Sequence, residues 1–256
     1  MTGTTHDFRY EILEEVGHRP WPMPDTAWIM TQTWHDVLFA HWAVDRRGLQ
    51  AHLPSWELDL FDGQAWLGIV SFEMTNVAPR ITPALPWISA FPEINVRTYV
   101  RVHGRPGVYF FSLDAANPLA VWFARMFFHL PYHSASIDVR RGGGTIEYHS
   151  RRAEGGAEFH ARYGPMGEAA KPVKGSLEHF LAERYCLYTV DAANRLFSVD
   201  IHHPPWPLQP AAADIEVNTL AQAAGIRLPS IAPLLHFARR QDVVNWPLVP
   251  AVPTTT

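Results

Sequence analysis

The sequence is poor in the residues on which several kinds of protein chemistry depend. Its single cysteine, Cys186, excludes an intramolecular disulfide, and the apolar run of residues 185–190 around it indicates an inert, buried thiol. Lysine is almost as rare, since Lys171 and Lys174 are the only two in 256 residues. Both fall in a Pro/Gly-rich stretch that is typical of a solvated loop. The sequence therefore offers few candidates for a catalytic amine.

Familiar catalytic and cofactor-binding motifs are absent too. No Gly-x-Ser-x-Gly, Gly-x-Gly-x-x-Gly or Walker A run occurs, so neither a serine nucleophile nor a nucleotide cofactor is indicated. The fourteen histidines are scattered. His202 and His203 would point to opposite faces of a strand, and zinc requires three or four converging ligands. We expect no metal site and no cofactor.

Long apolar runs and excess charge are missing as well. No window reaches the roughly 18 apolar residues of a membrane span, and the first residues do not resemble a secretory signal. The formal net charge is −4, which does not favour binding to nucleic acid or to an anionic membrane. We expect a cytoplasmic protein with no nucleic-acid or membrane partner, and the composition leaves open whether the chain forms a homo-oligomer. The partner expected from the rest of the sequence is a small-molecule ligand.

The most informative segment runs from Phe91 to Val102. Because side chains alternate along a strand, one face carries a file of hydrogen-bonding groups and the other face is apolar. Carboxylates and carbonyls are recognised by such groups, arginine above all. The strand therefore predicts a ligand cavity whose polar wall consists of Glu93, Asn95, Arg97, Tyr99 and Arg101.

The pattern elsewhere predicts one α+β domain over residues 28–247, preceded by an arm (1–27) and followed by a flexible tail (248–256). Most segments alternate as strands, and consecutive hairpins imply a largely antiparallel, β-barrel-like core. Two or three helices are expected. The clearest begins after the N-cap Asn117, with Pro118 at its first position and an apolar face that should pack on the barrel. Ser176 caps the second, and Gly225 closes the third.

Several sequence blocks resemble the DUF2071 family of uncharacterised bacterial proteins, of the YqjF type. The blocks span roughly residues 28–247, and they include the 93–100 strand, residues 107–114, 130–135, 181–185 and 202–207. The family is similar in pattern to the acetoacetate decarboxylase superfamily. That resemblance implies a β-rich, barrel-like fold around a small-molecule cavity, and it implies no agreed activity for the family itself.

The superfamily resemblance also bears on individual residues. Its Schiff-base lysine follows a proline, and the matching positions here are Pro131, Tyr132 and His133, so that neither lysine of the motif is present. The superfamily's glutamate matches Glu93. An arginine near its N-terminal strand matches His35, which is a cation only when protonated and loses the bidentate fork. The resemblance thus argues against Schiff-base decarboxylation.

Each candidate residue has both a functional and a structural interpretation. Glu93 is predicted to act as acid or base, with Tyr132 and His133 completing proton transfer, although Glu93 and Arg97 could form a structural ion pair. Buried tyrosine and histidine are often only hydrogen-bonded core residues. The predicted substrate-binding residues are His35, Asn95, Arg97, Tyr99 and Trp206.

The leading functional hypothesis is a cofactor-independent lyase or isomerase that acts on a carboxylated or β-dicarbonyl substrate. Two alternatives stay open. One is a non-catalytic binding protein on the same fold, and the other is a structural or partner-interaction protein that uses the aromatic surface and the Pro-rich arm.

Overall fold

In the computed structural model, residues 8–80 and 89–251 are described, and within them lie thirteen strands, four α-helices and a 3₁₀-helix. The strands before the middle of the chain are β1 (Met30–Val44), β2 (Glu57–Leu58), β3 (Ala65–Pro79), β4 (Phe91–Val102) and β5 (Arg105–Ala115). The later strands are β6 (Tyr132–Gly142), β7 (Thr145–Arg152), β8 (Glu158–Pro165), β9 (Cys186–Val190), β10 (Leu196–His202), β11 (Gln209–Asn218), β12 (Leu234–Asn245) and β13 (Val249–Pro250).

The helices are short and lie between the strands. The 3₁₀-helix precedes all of them at Tyr10–Glu14, and the α-helices are α1 (Arg46–Gln50), α2 (Pro118–Phe128), α3 (Leu177–Ala182) and α4 (Leu220–Ala223). No helix within the described residues is long and apolar enough to cross a membrane. The predicted α+β class with few helices is confirmed.

The strand pairings close a ring. Strands β12, β1, β3, β4 and β5 pair in that order, β5 continues to β9 and β10, and β10 returns to β12. Strands β6, β7, β8 and β11 form a second, antiparallel sheet that joins β5 to β12 on the outside of this ring. Only the pairings of β5 with β6 and with β9 are parallel among those described, so the predicted antiparallel character is confirmed.

Strands β1, β3 and β4 separate two interiors. Their outer face packs against the second sheet in one dense cluster that includes Leu38, Ile69, Ile94 and Val96. Their inner face turns into the ring, where further apolar clusters surround a cavity. Because side chains alternate along β4, as predicted, successive residues of this strand face the packed cluster and the cavity in turn.

A bulge in β1 changes which residues face inward. The register of β1 against β3 shifts between His35 and Leu38, and Asp36 adopts a left-handed backbone (φ +50°). The Asp36 carboxylate accepts hydrogen bonds from Arg141 at 2.7 Å and Arg239 at 3.0 Å. As a result, Trp34 before the bulge and Phe39 after it both face the cavity.

Helix α2 begins as the sequence predicts but packs differently. Asn117 accepts hydrogen bonds from the backbone N–H groups of residues 119 and 120, which confirms the cap. The expectation that its apolar face packs on the core is wrong for most of that face. Among the side chains of α2 that the structure describes, Val121 and Phe128 are buried, whereas four large apolar side chains are more than half exposed: Leu119, Trp122, Met126 and Phe127.

Both ends of the domain are held to the ring. Ile12 of the N-terminal arm is buried against Val244 and Trp246, and Arg19 donates to the carbonyl of Ile201 at 2.8 Å. At the other end, β13, which lies within the predicted tail, pairs with β10. Residues 1–7 and 252–256 lie outside the described part of the chain.

Candidate functional site

The ring encloses a cavity of about 370 Å³, and its lining includes Leu119 and Trp122 of α2. Glu93, Asn95 and Arg97 of β4 line it, at alternate positions of one strand face, and all three are buried. Most of the remaining wall is apolar or aromatic. A polar file set in an apolar chamber is the usual composition of a small-molecule site.

Glu93 is the buried carboxyl group of the cavity. The phenol of Tyr132 donates a hydrogen bond to Glu93 Oε2 at 2.6 Å, and the Asn95 side chain also hydrogen-bonds to this carboxyl. Burial raises the pKa of Glu93 to about 7, against the lowering effect of those two hydrogen bonds, and Asp114 raises it further. The group can therefore take up or release a proton near neutral pH.

Tyr132 is the donor in this pair. Burial of the phenol and the adjacent Glu93 carboxylate raise the pKa of Tyr132 well above its ordinary value. The hydroxyl therefore keeps its proton across the physiological pH range and stabilises the ionised form of Glu93. This residue stands where the resemblance places a lysine.

Arg97 is a buried cation at the cavity wall. Its Nη2 donates to the carbonyl of Leu181 at 3.4 Å, and the guanidinium lies 5.4 Å from the centre of the Phe39 ring. Within the described residues, no carboxylate forms an ion pair with it, and Nε has no hydrogen-bond partner. The structural ion pair with Glu93 is therefore wrong, because four residues of strand separate the two Cα atoms by roughly 13 Å.

A second arginine, Arg184, also lines the cavity and was missed by the sequence analysis. It follows α3, forms an ion pair with Asp59 at 2.6 Å, and donates through Nε to the Phe180 carbonyl at 2.7 Å. Burial lowers the pKa of its guanidinium, and Asp59 opposes that shift. Its Nη2 has no partner in the described part of the chain. The only signal in the sequence was its place in the 181–185 family block.

The segment after β10 supplies a further wall. Trp206 is buried, lines the cavity and meets Phe39 edge to face with ring centres 4.9 Å apart. His203 lines it too, whereas His202 points away and contacts the Ile12 carbonyl at 2.7 Å. The opposite orientation predicted for these two histidines is confirmed. Burial lowers the pKa of His203, so its imidazole is neutral.

Four of the residues predicted to line the site do not line the cavity. One of them is Arg101, whose side chain is 45% exposed and forms an ion pair with Asp59 at 2.8 Å. His35 lies beside the β1 bulge and contacts Thr75 Oγ1 at 2.8 Å, because Trp34 occupies the inward position. His133 follows Tyr132 on β6 and therefore points to the opposite face, where burial and Arg152 lower its pKa to about 4. Tyr99 is buried but lies outside the cavity lining, and its hydroxyl donates a hydrogen bond to the Leu181 carbonyl at 2.8 Å.

Comparison with known proteins identifies the family. The sequence profile of the DUF2071 family, described as an uncharacterized conserved protein, matches residues 31–242. The chain belongs to the DUF2071 family. It is 52% identical over 228 residues to the uncharacterized protein YqjF of Bacillus subtilis (strain 168), a match that covers 88% of this chain and 94% of YqjF. The resemblance seen in the sequence blocks is thereby confirmed.

Solved structures show the fold of this DUF2071 protein. The enduracididine biosynthesis enzyme MppR, complexed with pyruvate, superposes with a TM-score of 0.62 at 12% identity over 93% of this chain and 95% of MppR. Acetoacetate decarboxylase from Legionella pneumophila gives 0.61 at 14% identity over 97% and 98%. The acetoacetate decarboxylase-like fold is confirmed, and identities this low show the fold alone.

Both lysines of the DUF2071 protein lie outside the cavity. Lys171 and Lys174 are exposed in the connection between β8 and α3, and neither lines the cavity. Across the residues described, no group of three or more His, Cys, Asp or Glu side chains converges as a metal ion would require. The side chains on the cavity wall that can exchange a proton or hold an anion include Glu93, Tyr132, Asn95, His203 and the two arginines.

Proposed function

We propose that this DUF2071 protein catalyses proton transfer on a small carbonyl compound that carries a carboxylate, as a cofactor-independent lyase or isomerase. The observation that supports it is Glu93, a carboxyl group with a pKa of about 7 that is hydrogen-bonded to Tyr132 at 2.6 Å inside a ligand-sized cavity. Perturbed pKa values of this kind mark candidate acids and bases.

The proposed step is the removal of a proton from the carbon beside the carbonyl group. The Glu93 carboxylate takes the proton, the C–H electron pair enters the enolate, and the negative charge moves to the former carbonyl oxygen. Asn95 and Arg97 line the same cavity, and in this proposal their N–H groups stabilise that oxygen or the substrate carboxylate. Return of the proton to a different carbon isomerises the substrate, and loss of a leaving group instead makes the reaction a lyase step.

The anion-binding part of the proposal rests on the two arginines. Arg97 and Arg184 each have a buried nitrogen without a partner in the described chain, and an unpaired buried donor costs free energy until a ligand accepts its hydrogen. A carboxylate offers two acceptor oxygens to such a pair. The same arginines equally suit a protein that binds a carboxylate without transforming it, which is the second candidate function.

Deuterium exchange tests the proposal without knowledge of the natural substrate. Pyruvate, levulinate, phenylpyruvate and acetylacetone are incubated with the protein in D₂O, and proton NMR follows deuterium entering the carbons beside each carbonyl. We expect exchange above the uncatalysed rate for at least one keto acid. Glu93→Gln keeps the shape of the side chain, so it should reduce that rate by roughly 10²-fold or more while the affinity stays within about tenfold.

The matched control is Glu216→Gln, a carboxylate whose side chain is 52% exposed on the second sheet. It should leave the exchange rate at the wild-type value. Exchange that survives Glu93→Gln at the full rate would refute the role of this residue. Binding of keto acids without exchange of any probe would instead favour the binding protein.

A further inference from the structure

The polar groups of the cavity are arranged in order along β4. Arg97 lies at one end, beside the Leu181 carbonyl of α3 and near Arg184. Glu93 lies four residues away, roughly 13 Å along the strand, and pairs across to Ala115 just before α2. The cationic end of the cavity is thus next to α3, and the Glu93 end is next to α2.

Beyond Glu93 the wall is uncharged and largely apolar, with Gln32 and Asn245 as polar members. Val121 of α2 packs in the same buried cluster as Phe72, Met74 and Phe91, and those three residues of β3 and β4 line the cavity. Among the described lining residues, formal charges are confined to Glu93, Arg97 and Arg184. The cavity therefore has a charged part, which extends from Arg97 to Glu93, and a largely apolar upper part beyond Glu93.

Helix α2 forms the rim of this upper part. Leu119 and Trp122 line the cavity, yet they are 59% and 57% exposed to solvent. Large apolar side chains that are half in a cavity and half in water lose that contact with water when a ligand covers them.

We propose that the ligand of this site is an amphiphilic acid, with its carboxylate at Arg97 and Arg184 and an acyl or aryl body that extends past Glu93 to Leu119 and Trp122. This inference rests on the anion site of the proposed function and adds the substrate class. A cavity of about 370 Å³ lies in the range that holds drug-sized molecules. A keto acid of three or four carbons would leave the apolar upper wall uncovered.

Straight-chain carboxylates are the probes for the test. Butanoate, hexanoate, octanoate and decanoate are titrated into the full-length protein by calorimetry, at concentrations below micelle formation, with decanol as the probe that lacks the charge. We expect the affinity to rise about two- to fourfold for each added methylene that enters the apolar part. Decanol should bind at least tenfold more weakly than decanoate, because the arginines then face no carboxylate.

Two exposed residues of α2 provide a matched pair of variants. Leu119→Ala removes a side chain of the rim, and Met126→Ala removes one that is 55% exposed on the same helix but does not line the cavity. Leu119→Ala should lower the affinity for decanoate about threefold to tenfold and leave butanoate unchanged. Met126→Ala should change neither, and both positions are too exposed for the substitution to unfold the chain.

The outcomes separate this inference from the proposed function. Equal affinities for all four acids, all weaker in Arg97→Gln, would overturn the amphiphilic ligand and leave the anion site intact. Failure of every acid to bind would overturn both. A rise with chain length that is unaffected by Arg97→Gln would also overturn the inference, because the carboxylate would then not be held at the cationic end.

Discussion

On one side of β3 and β4, Ile69 and Ile94 pack into the cluster that joins the ring to the second sheet, whereas on the other side Val70 and Glu93 face the cavity. All four are almost completely buried, with exposures between 1% and 3%. Burial alone therefore does not distinguish a core from a site. The difference lies in what the buried groups touch, because the packed side is filled by neighbouring side chains and the cavity side borders an open space of about 370 Å³.

The largest expected effect contrasts two phenylalanines, one on each side. Phe159→Ala in the packed cluster should cost about 3 to 5 kcal/mol of unfolding free energy, because it opens a new cavity in a filled core. Phe72→Ala enlarges a space that already exists, so mainly the transfer free energy is lost and about 2 kcal/mol is expected. Urea denaturation measures both. Equal costs would contradict the contrast between a filled and an open interior.

The next effect concerns the pH dependence of stability. Because the folded-state pKa of Glu93 is raised from 4.5 to about 7, its stabilising contribution is complete below pH 4.5 and is lost as the pH rises to about 7. The loss is about 3 kcal/mol. Glu93→Gln should therefore be more stable than wild type at pH 8, with the difference fading towards pH 4.5. Parallel curves of unfolding free energy against pH would show that Glu93 is not buried as an ionisable group.

A smaller effect is expected from Tyr132→Phe. The lost hydrogen bond normally lowers the pKa of Glu93, so the ascending limb of the exchange rate against pH should move to higher pH. Stability should fall by about 1 kcal/mol. The measurement is the pH profile of deuterium exchange beside thermal melting. If the ascending limb of the exchange rate stayed at the same pH, the Tyr132 phenol would not affect the pKa of Glu93.

The smallest effect is no change at all. Borohydride reduction in the presence of acetoacetate should leave the protein mass unaltered, because Tyr132 occupies the cavity position and Lys171 and Lys174 are exposed outside it. Mass spectrometry of the intact chain is the measurement. A stoichiometric adduct on either lysine would contradict the assignment of the cavity chemistry to Glu93.

Local pattern was sufficient wherever one strand or one cap decides the geometry. The alternation of residues 91–102 correctly separates Glu93, Asn95 and Arg97 from Ile94 and Val96, because adjacent side chains on a strand must point to opposite faces. The N-cap Asn117 is likewise visible in the sequence, since its hydrogen bonds reach only two and three residues along the chain.

The same local rules failed where distant parts of the chain intervene. His35 is turned away from the cavity by a bulge whose Asp36 is held by Arg141 and Arg239 from β6 and β12. Arg184 enters the cavity because α3 is folded back over β4, where the Leu181 carbonyl meets Tyr99 and Arg97. Neither contact produces a periodic pattern in the sequence around His35 or Arg184.

By itself, the sequence determined the family, the strand-rich fold and the polar file of β4, because these depend on short-range periodicity and on recognisable blocks. Tertiary structure alone decided that Tyr132 meets Glu93, that His133 does not, and that α2 leaves Leu119 and Trp122 at a cavity rim. Hydrophobic patterning predicts which side chains are apolar. Whether such a side chain is covered by protein or left open beside a cavity is decided by how the ring closes.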